Sequence, residues 1–282
     1  MKLITWNIQW GRGIDLKVDL ARIVRTAREI ADFDVLCLQE VAVNFPGLAG
    51  SGGENQVEEL SRALPGYSAH YGIATDVDDG HGRRRFGNLV LSRLPVIQVF
   101  PHLLPWPPDP KVPSMQRIAV EAVVQARWGP LRVMTTHLEY YSAMQRMTQV
   151  EALRRLHEEA CGHAALPRPS GDPGEPFAAL PRPASAILTG DFNFKPDAPE
   201  HERMISAFGA AVPRFMDAWE IANPNQPHAH TVGLYENSWA ERPYCCDFVF
   251  VTDDLASRVR AVTVDMQAQA SDHQPVLIEL AN

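Results

Sequence analysis

The stretch ILTGDFNF, Ile187 to Phe194, carries the reading of the fold. Apolar residues run into Thr189-Gly190, and an acid, an aromatic, an amide and a second aromatic follow. This is the pattern of a buried strand that runs out at a glycine. Period-two geometry would point Asp191 and Asn193 to the same side. Polar groups there need water, partners or a ligand, because burial without them costs about 1–3 kcal/mol each. A strand-end turn, in which both side chains bond the backbone, would satisfy them as well. The stretch alone leaves both readings open.

Working outward, the same motif recurs. KLITWNI (Lys2 to Ile8), DVLCLQEV, YSAHYGIA, NLVLS, VIQVF, RIAVEAVVQA, LRVMTTHLE, AILTG, CCDFVFV, VRAVTVDM and PVLIEL all read as strands. RWGP between two of them reads as a hairpin turn. DLARIVRTAREI places Leu20, Ile23, Val24, Ala27 and Ile30 at helical spacing. QVEELSRAL and MQRMTQVEALRRLHEEACG are further helix patterns, the former stopped by Pro65-Gly66. Many strands with helices to cover them predict an α/β or α+β protein. Gly47 to Gly53 reads as a glycine-rich loop. Proline tracts at Pro101–Pro113 and Leu166–Ala184 read as extended surface loops. The second is a candidate linker, but the strands on either side read as members of one sheet, so 1–282 is expected to be one domain.

Composition narrows the function. The chain has 282 residues, 45% of them hydrophobic, and a net charge of −8. It is long enough for a sizeable core without staples. The acidic balance disfavours a generic polyanion-binding surface, although Arg83, Arg84 and Arg85 form one dense basic run. The four cysteines, Cys37, Cys161, Cys245 and Cys246, form no C-x-x-C pair, which argues against a disulfide framework or a zinc finger. No apolar run has the length of a membrane span, and MKLITWNIQW leads straight into a strand without a signal-peptide pattern. A cytoplasmic location and no obligate protein partner are the expectation.

The strand ends carry the chemistry. Asn7 interrupts ITWNI, Glu40 closes DVLCLQE, Asn88 precedes LVLS, and His137 closes VMTTHL. Asp191 and Asn193 close AILTGDFN, Asp247 sits inside YCCDFVFV, and Asp272 and His273 precede PVLIEL. Each alone has an ordinary account as a turn residue, a satisfied histidine or, for Asp247, an ion pair with Arg242. Together they are four carboxylates, three amides and two histidines, with no nucleophilic Ser or Cys motif. Such a set suits a hard divalent cation and a phosphate. Mg²⁺ takes oxygen ligands, one or two of them carboxylates, and Glu40 is the best first ligand, with Asp272 or Asn7 beside it. Carboxamides such as Asn193 can donate to phosphate oxygens. Histidines can donate or exchange a proton. Asp247 behind His273 would fix its tautomer. No P-loop, G-x-S-x-G or H-E-x-x-H pattern competes.

The series TWNIQ, LQE, GNLVLSR, THLE, GDFN, YCCDFVFV and SDHQPV, in this order, resembles the endonuclease/exonuclease/phosphatase superfamily. That group includes deoxyribonuclease, AP endonucleases, neutral sphingomyelinases and inositol polyphosphate 5-phosphatases. The resemblance runs from the first strand to the last. It implies a four-layer α-β-β-α sandwich of two packed mixed sheets, with the motifs converging at one edge. It also implies metal ligation by Glu40 and Asp272 with Asn7, phosphate contact by His137, and water orientation by Asp191 and Asn193. His273 would be backed by Asp247, and Asn88 and Arg117 would lie on the substrate side. An ion pair of Arg117 with Glu121 is an equal expectation. Many relatives have isoleucine-aspartate-tyrosine where this chain has Cys246-Asp247-Phe248, which keeps the aspartate and changes its neighbours.

The function so implied is Mg²⁺-dependent hydrolysis of a phosphate ester, with Mn²⁺ able to substitute. Water would attack in line, its proton taken by Asp191 or His273, with one metal ion or two. Substrates from small molecules to nucleic acid fit this constellation, so a DNA or RNA nuclease or a DNA-repair phosphodiesterase is the alternative. A catalytically silent binding protein would not be expected to keep the whole set. A zinc enzyme built on His228 and His230 in PHAHT lacks a third ligand nearby in sequence.

Overall fold

The computed structural model describes every residue except 79, 81, 167–168, 210 and 236–239. Pro167 of the second proline tract therefore lies outside the described residues. Among the described residues twelve strands form two six-stranded sheets. The first has the order β11 (Val259–Val264), β12 (Val276–Leu280), β1 (Lys2–Asn7), β2 (Val35–Val43), β4 (Arg83–Ser92), β3 (Ser68–Asp78). The second runs β5 (Val96–Leu103), β6 (Ile118–Ala126), β7 (Gly129–His137), β8 (Ala186–Asp191), β10 (Asp247–Thr252), β9 (Phe215–Asp217). The helices are α1 (Leu20–Ile30), α2 (Gln56–Ala63), α3 (Ala143–Ala165), α4 (Pro199–Ile205) and α5 (Ala218–Ala222).

Each sheet has one parallel pair at its centre, β1 with β2 and β7 with β8. A parallel pair needs a crossover, and α1 and α3 supply the two. The pairs are buried on both faces, which is why their strands read as continuous apolar runs. Leu3, Val35 and Cys37 face the second sheet and meet Val120, Val133, Ile187 and Val249. The alternate residues Ile4, Leu36 and Leu38 face outward onto Leu20, Ile23 and Val24 of α1 and Leu60 of α2. On the other side Met134, Leu188 and Phe250 pack under Val150 and Leu153 of α3 and Met204 of α4. The layers are therefore helix, sheet, sheet, helix, the expected sandwich.

Local signals set the helix starts. Asp19, Asn55 and Ser142 cap α1, α2 and α3 by accepting from the backbone N–H of Arg22, Glu58 and Gln145. RWGP is a hairpin turn, with Ala126 paired to Gly129. The first proline tract begins later than its composition suggests, because β5 runs through Pro101 to Leu103. β5 is an edge strand, where a missing N–H is tolerated. The second tract is not wholly a surface loop. Arg182 is buried and its guanidinium donates to Glu121 and Glu159. Helices α4 and α5 and the three-residue β9 are too short to show a period in the sequence. Among the described residues no helix is long and apolar enough to cross a membrane.

Candidate functional site

The parallel pairs of both sheets end at the same edge, and the strand-end polar residues meet there. In register, Asn7 lies opposite Gln39, His137 opposite Asp191, and Asp191 opposite Asp247. A cleft of about 440 Å³ opens over this edge. Glu40, Arg117, His137, Asp191, Asn193, Asp272 and His273 all line it.

Asp191 is the hub. Its Oδ2 accepts from Asn7 Nδ2 at 3.0 Å and lies 3.4 Å from His137 Nε2 and 3.6 Å from His273 Nε2. Asn7 Nδ2 also donates to Glu40 Oε1 at 3.0 Å, so one amide tethers two carboxylates. His273 Nδ1 lies 3.0 Å from Asp247 Oδ2, and Trp6 Nε1 donates to the His273 carbonyl. Asp247 thus pairs with His273 and not with Arg242. Its Oδ1 is buried without a hydrogen-bond partner. Asp272 accepts from Gln9 Nε2 at 2.6 Å and from the Ser271 hydroxyl at 3.2 Å.

Glu40 reaches the cleft through a bulge. The pairing of β2 with β4 slips between Leu38 and Val41, and Glu40 takes a positive φ of 60°. Bulges commonly re-aim a side chain next to a functional site. Below it, buried Gln39 donates to Thr5 and Thr135 and so ties the two sheets together. Gly190 has an equally local reason. A Cβ there would lie 1.9 Å from the Thr136 carbonyl oxygen of β7.

Four sequence-predicted residues sit differently from expectation. Asn7 does not line the cleft. Both protons of its amide are used on Glu40 and Asp191, and its Oδ1 accepts from Gln9 N. Asn88 is buried, donates to the Ile118 carbonyl, and lines a small space adjoining the cleft. Arg117 pairs with Glu139 at 3.3 Å, while Glu121 is occupied by Arg182 and His102. Asn193 has φ of 53°, so the strand does not continue through it. Its backbone N–H donates to Asp191 Oδ1 and its amide to Leu138 O.

Sequence reasoning missed Gln9, Trp10, Phe86, Met115, Tyr140 and Tyr141, which complete the lining. The Tyr140-Tyr141 dipeptide was the available signal. Two adjacent large aromatics directly after THLE are not a strand pattern, and their rings stand edge to face at 4.7 Å. Glu139 was also missed. It is fully buried, holds Arg117, and accepts from Tyr141 N.

The electrostatics divide the site. Burial, then the Asp272 charge, raises the Glu40 carboxyl to about 7. Burial, opposed by His273 and reinforced by Asp247, raises Asp191 to about 6. Burial alone would lower His273, but the Asp247 and Asp191 carboxylates outweigh it and hold the imidazole protonated well above its ordinary range. His137 is driven well below its ordinary value by burial and then by the Arg117 charge. One histidine is thus a cation and the other neutral near pH 7.

Glu40 and Asp272 together present carboxylate oxygens to the cleft, and the Asp272 charge makes Glu40 costlier to ionise, a repulsion that a divalent cation between them would remove. They fit a hard divalent cation. Asp191, Cys246 and His273 also bring donor atoms within 4.8 Å of one another. That group is unsuited, because burial holds the Cys246 thiol protonated and the two carboxylates hold the His273 proton.

Comparison with known proteins bears on the family and the fold. Residues 4–273 match the family described as Endonuclease/Exonuclease/phosphatase family. No curated protein sequence matches the chain. Among solved structures, an endonuclease/exonuclease/phosphatase from Bacteroides vulgatus superposes with a TM-score of 0.71 at 20% identity, covering 99% of this chain and 98% of that one. A mannosyl-6-phosphatase from Bacteroides thetaiotaomicron gives 0.68 at 19% identity, with 100% of both chains covered. Truncated TDP2 from Caenorhabditis elegans gives 0.64 at 19% identity, covering 99% and 97%. At such identities the likeness carries the fold.

Proposed function

Since the chain belongs to the endonuclease/exonuclease/phosphatase family, we propose that it is a divalent-metal-dependent phosphoesterase, acting as one catalytic domain on a phosphodiester. The observation that carries the reading is the convergence on Asp191 Oδ2. An amide, a neutral histidine and a charged histidine all lie within 3.6 Å of one carboxylate oxygen, in a cleft that also presents Glu40 and Asp272.

Asp191, raised toward neutrality, is the group suited to take the proton of an attacking water. His273 already carries its proton, so its part is to donate a hydrogen bond to a phosphate oxygen through Nε2. Asp247 keeps that imidazole charged and fixes its orientation. His137 and Arg117 face the same space, and Asn193 keeps one amide proton for the phosphate beyond the one given to Leu138. Asn7 positions Glu40 and Asp191 relative to one another. Mg²⁺, or Mn²⁺ in its place, would be held by Glu40 and Asp272 and would supply Lewis-acid stabilisation of the oxygen charge that develops in the reaction.

The lining favours a diester over a monoester. Among the described lining residues Arg117 is the one Lys or Arg side chain, and Glu139 already pairs with it. A phosphomonoester brings close to two negative charges at neutral pH, a diester only one. Beside the polar groups the lining carries five aromatic or thioether side chains, Trp10, Phe86, Met115, Tyr140 and Tyr141. These suit an apolar or planar substituent on either side of the phosphate. In the basic run Arg83 and Arg85 share the single carboxylate of Asp76, which offsets part of its positive charge. A phosphomonoesterase remains the second reading, because a mannosyl-6-phosphatase shares the fold.

The test is hydrolysis of bis-p-nitrophenyl phosphate, p-nitrophenyl phosphate, plain and abasic DNA, and sphingomyelin, with Mg²⁺, Mn²⁺ or EDTA. We expect metal-dependent turnover with the diester faster than the monoester. Turnover insensitive to EDTA, or none on any substrate, would refute the proposal.

A further inference from the structure

Away from the cleft, four side chains from three elements and one connecting segment converge. His201 lies on α4, Asp217 ends β9 and caps α5, Glu220 lies one turn along α5, and His228 lies in the segment leading toward β10. The Nε2 atoms of His201 and His228 lie 2.8 Å and 2.9 Å from the same oxygen, Asp217 Oδ2. With Glu220, all four donor atoms lie within 4.8 Å of one another. His201 and Asp217 are buried, and Phe248 and Phe250 wall the cluster on the inside. Glu220 is exposed, and a cavity of about 410 Å³ lined by Asp217 and Glu220 opens beside the cluster.

We propose that His201, Asp217, Glu220 and His228 form a second metal site, for a zinc-class divalent cation. Two neutral imidazoles and two carboxylates around such an ion give a site with no net charge. Imidazole nitrogen suits zinc and its neighbours in the first transition row, while magnesium prefers an all-oxygen shell. Tetrahedral bonds of about 2.0–2.1 Å set donors about 3.3 Å apart. The present separations of 2.8 Å and 2.9 Å would open by only a few tenths of an ångström. The cavity leaves an entry path past Glu220. His230, the other histidine of PHAHT, takes no part, and the missing ligands come from residues remote in sequence.

The site has a consequence for the cleft. Three residues beyond His228, Thr231 Oγ1 accepts from the backbone N–H of Cys246 and of Asp247. The Thr231 carbonyl accepts from Gln274 N, and Val232 bridges to His273. A cation that fastens His228 to α4 and α5 would therefore anchor the strap that holds both Asp247 and His273. In this role His228 is a positioning residue.

The test uses the full chain carrying Glu40→Gln, in excess Mg²⁺, so that the cleft does not contribute. After EDTA and dialysis, Zn²⁺ is titrated against a chromogenic chelator, and Co²⁺ replaces it for visible spectroscopy. We expect one tightly held ion per chain, a tetrahedral Co²⁺ band, and a melting temperature raised by Zn²⁺. His228→Gln should weaken Zn²⁺ binding about 100-fold and abolish the band, and Glu220→Gln about tenfold, while His230→Gln should change neither. These factors are on the order expected for loss of one ligand or its support. Glu220 is exposed, so its variant should fold whatever happens to that of the half-buried His228. If the parent retains no Zn²⁺, or if His228→Gln and Glu220→Gln bind it as the parent does, the cluster is a hydrogen-bonded carboxylate between two histidines and the proposal is wrong. Metal content and the Co²⁺ band do not depend on the substrate, so failure here is distinguishable from failure of the phosphoesterase reading.

Discussion

Replacing Asp247 by Asn tests the centre of the proposed chemistry. The Asp247–His273 contact is 3.0 Å long and both residues are buried. A hydrogen bond to a charged group is worth about 1.5–3 kcal/mol. At about 1.4 kcal/mol per decade, loss of that term in the transition state slows turnover about 10–150-fold. The substitution also withdraws the leading charge that keeps His273 protonated, which carries the loss toward the roughly 100–10,000-fold typical of a positioned acid or base. We expect Asp247→Asn to lower kcat about 100–1,000-fold, and His273→Ala by at least as much. The double variant should be no slower than the slower single one, because Asp247 has nothing to hold once the imidazole is gone.

The pH profile supplies a second readout. The folded pKa of His273 lies above its unfolded value, so its stabilising contribution is complete below about pH 6.5 and is lost as pH rises through the folded value. The proton needed for donation to phosphate is lost over the same alkaline range. Asp247→Asn should move the alkaline limb of kcat to lower pH, a change that mere loosening of the fold would not produce. The assay is turnover of the best diester at saturating Mg²⁺ across pH 6–10. Losses that multiply in the double variant, or an alkaline limb that stays in place, would refute the dyad.

Three further outcomes follow from the geometry. Glu40→Gln should weaken Mg²⁺ binding at pH 8 by at least about tenfold and leave the fold intact, as measured by calorimetry and thermal melting. In the parent, Mg²⁺ affinity should climb up to tenfold per pH unit until about pH 7, because Glu40 must release its proton to bind the ion. The sign for stability is opposite. The raised carboxyl stabilises the metal-free protein below about pH 4.5 and that contribution fades as pH rises through about 7, so Mg²⁺ should raise the melting temperature more at pH 8 than at pH 6. Gly190→Ala should destabilise by roughly 3 kcal/mol or more, since its Cβ would meet the Thr136 carbonyl at 1.9 Å between two paired strands, and chemical denaturation reads this directly. Tyr140→Ala and Tyr141→Ala should change the ratio of rates between substrates with aromatic and with small leaving groups by several-fold, with the fold unaltered, because both rings line the cleft and stand partly exposed. An equal loss on every substrate would place them in support of Arg117 through Glu139.

Much of the frame was legible because it follows from periods of two and 3.6. Leu3 and Ile4, or Cys37 and Leu38, are both apolar because each belongs to a different core on opposite faces of one sheet. A polar residue at the end of such a run stands out for the same reason, and that is how Glu40, His137, Asp191 and His273 could be picked from sequence. What stayed hidden depends on pairing across distance. The choice of Glu139 over Glu121 as partner of Arg117 follows from which strand ends beside it, and both acids follow apolar runs of the same kind. The histidine cluster was missed because α4, β9 and α5 are too short to carry a period, so nothing in the sequence brings His201 and Asp217 toward His228.

The two readings of ILTGDFNF turn out to be one. A turn does end the strand, since Asn193 leaves the extended region with φ of 53° and its N–H closes on Asp191 Oδ1. That bond occupies one oxygen of the carboxylate and fixes the plane of the other. Oδ2 is thereby aimed at Asn7, His137 and His273, the three groups proposed to work with it. Had the strand continued, Asn193 would have shared a face with Asp191, but its N–H would not have closed on Oδ1 and nothing local would set the direction of the carboxylate. The backbone-bonding turn is therefore what gives Asp191 its orientation, and Asn193→Gly, which keeps the turn while deleting the amide, should spare the pH profile of kcat while raising KM. Asn193→Val, which disfavours the positive φ, should disturb both, and equal effects of the two variants would show that the turn does not orient the acid.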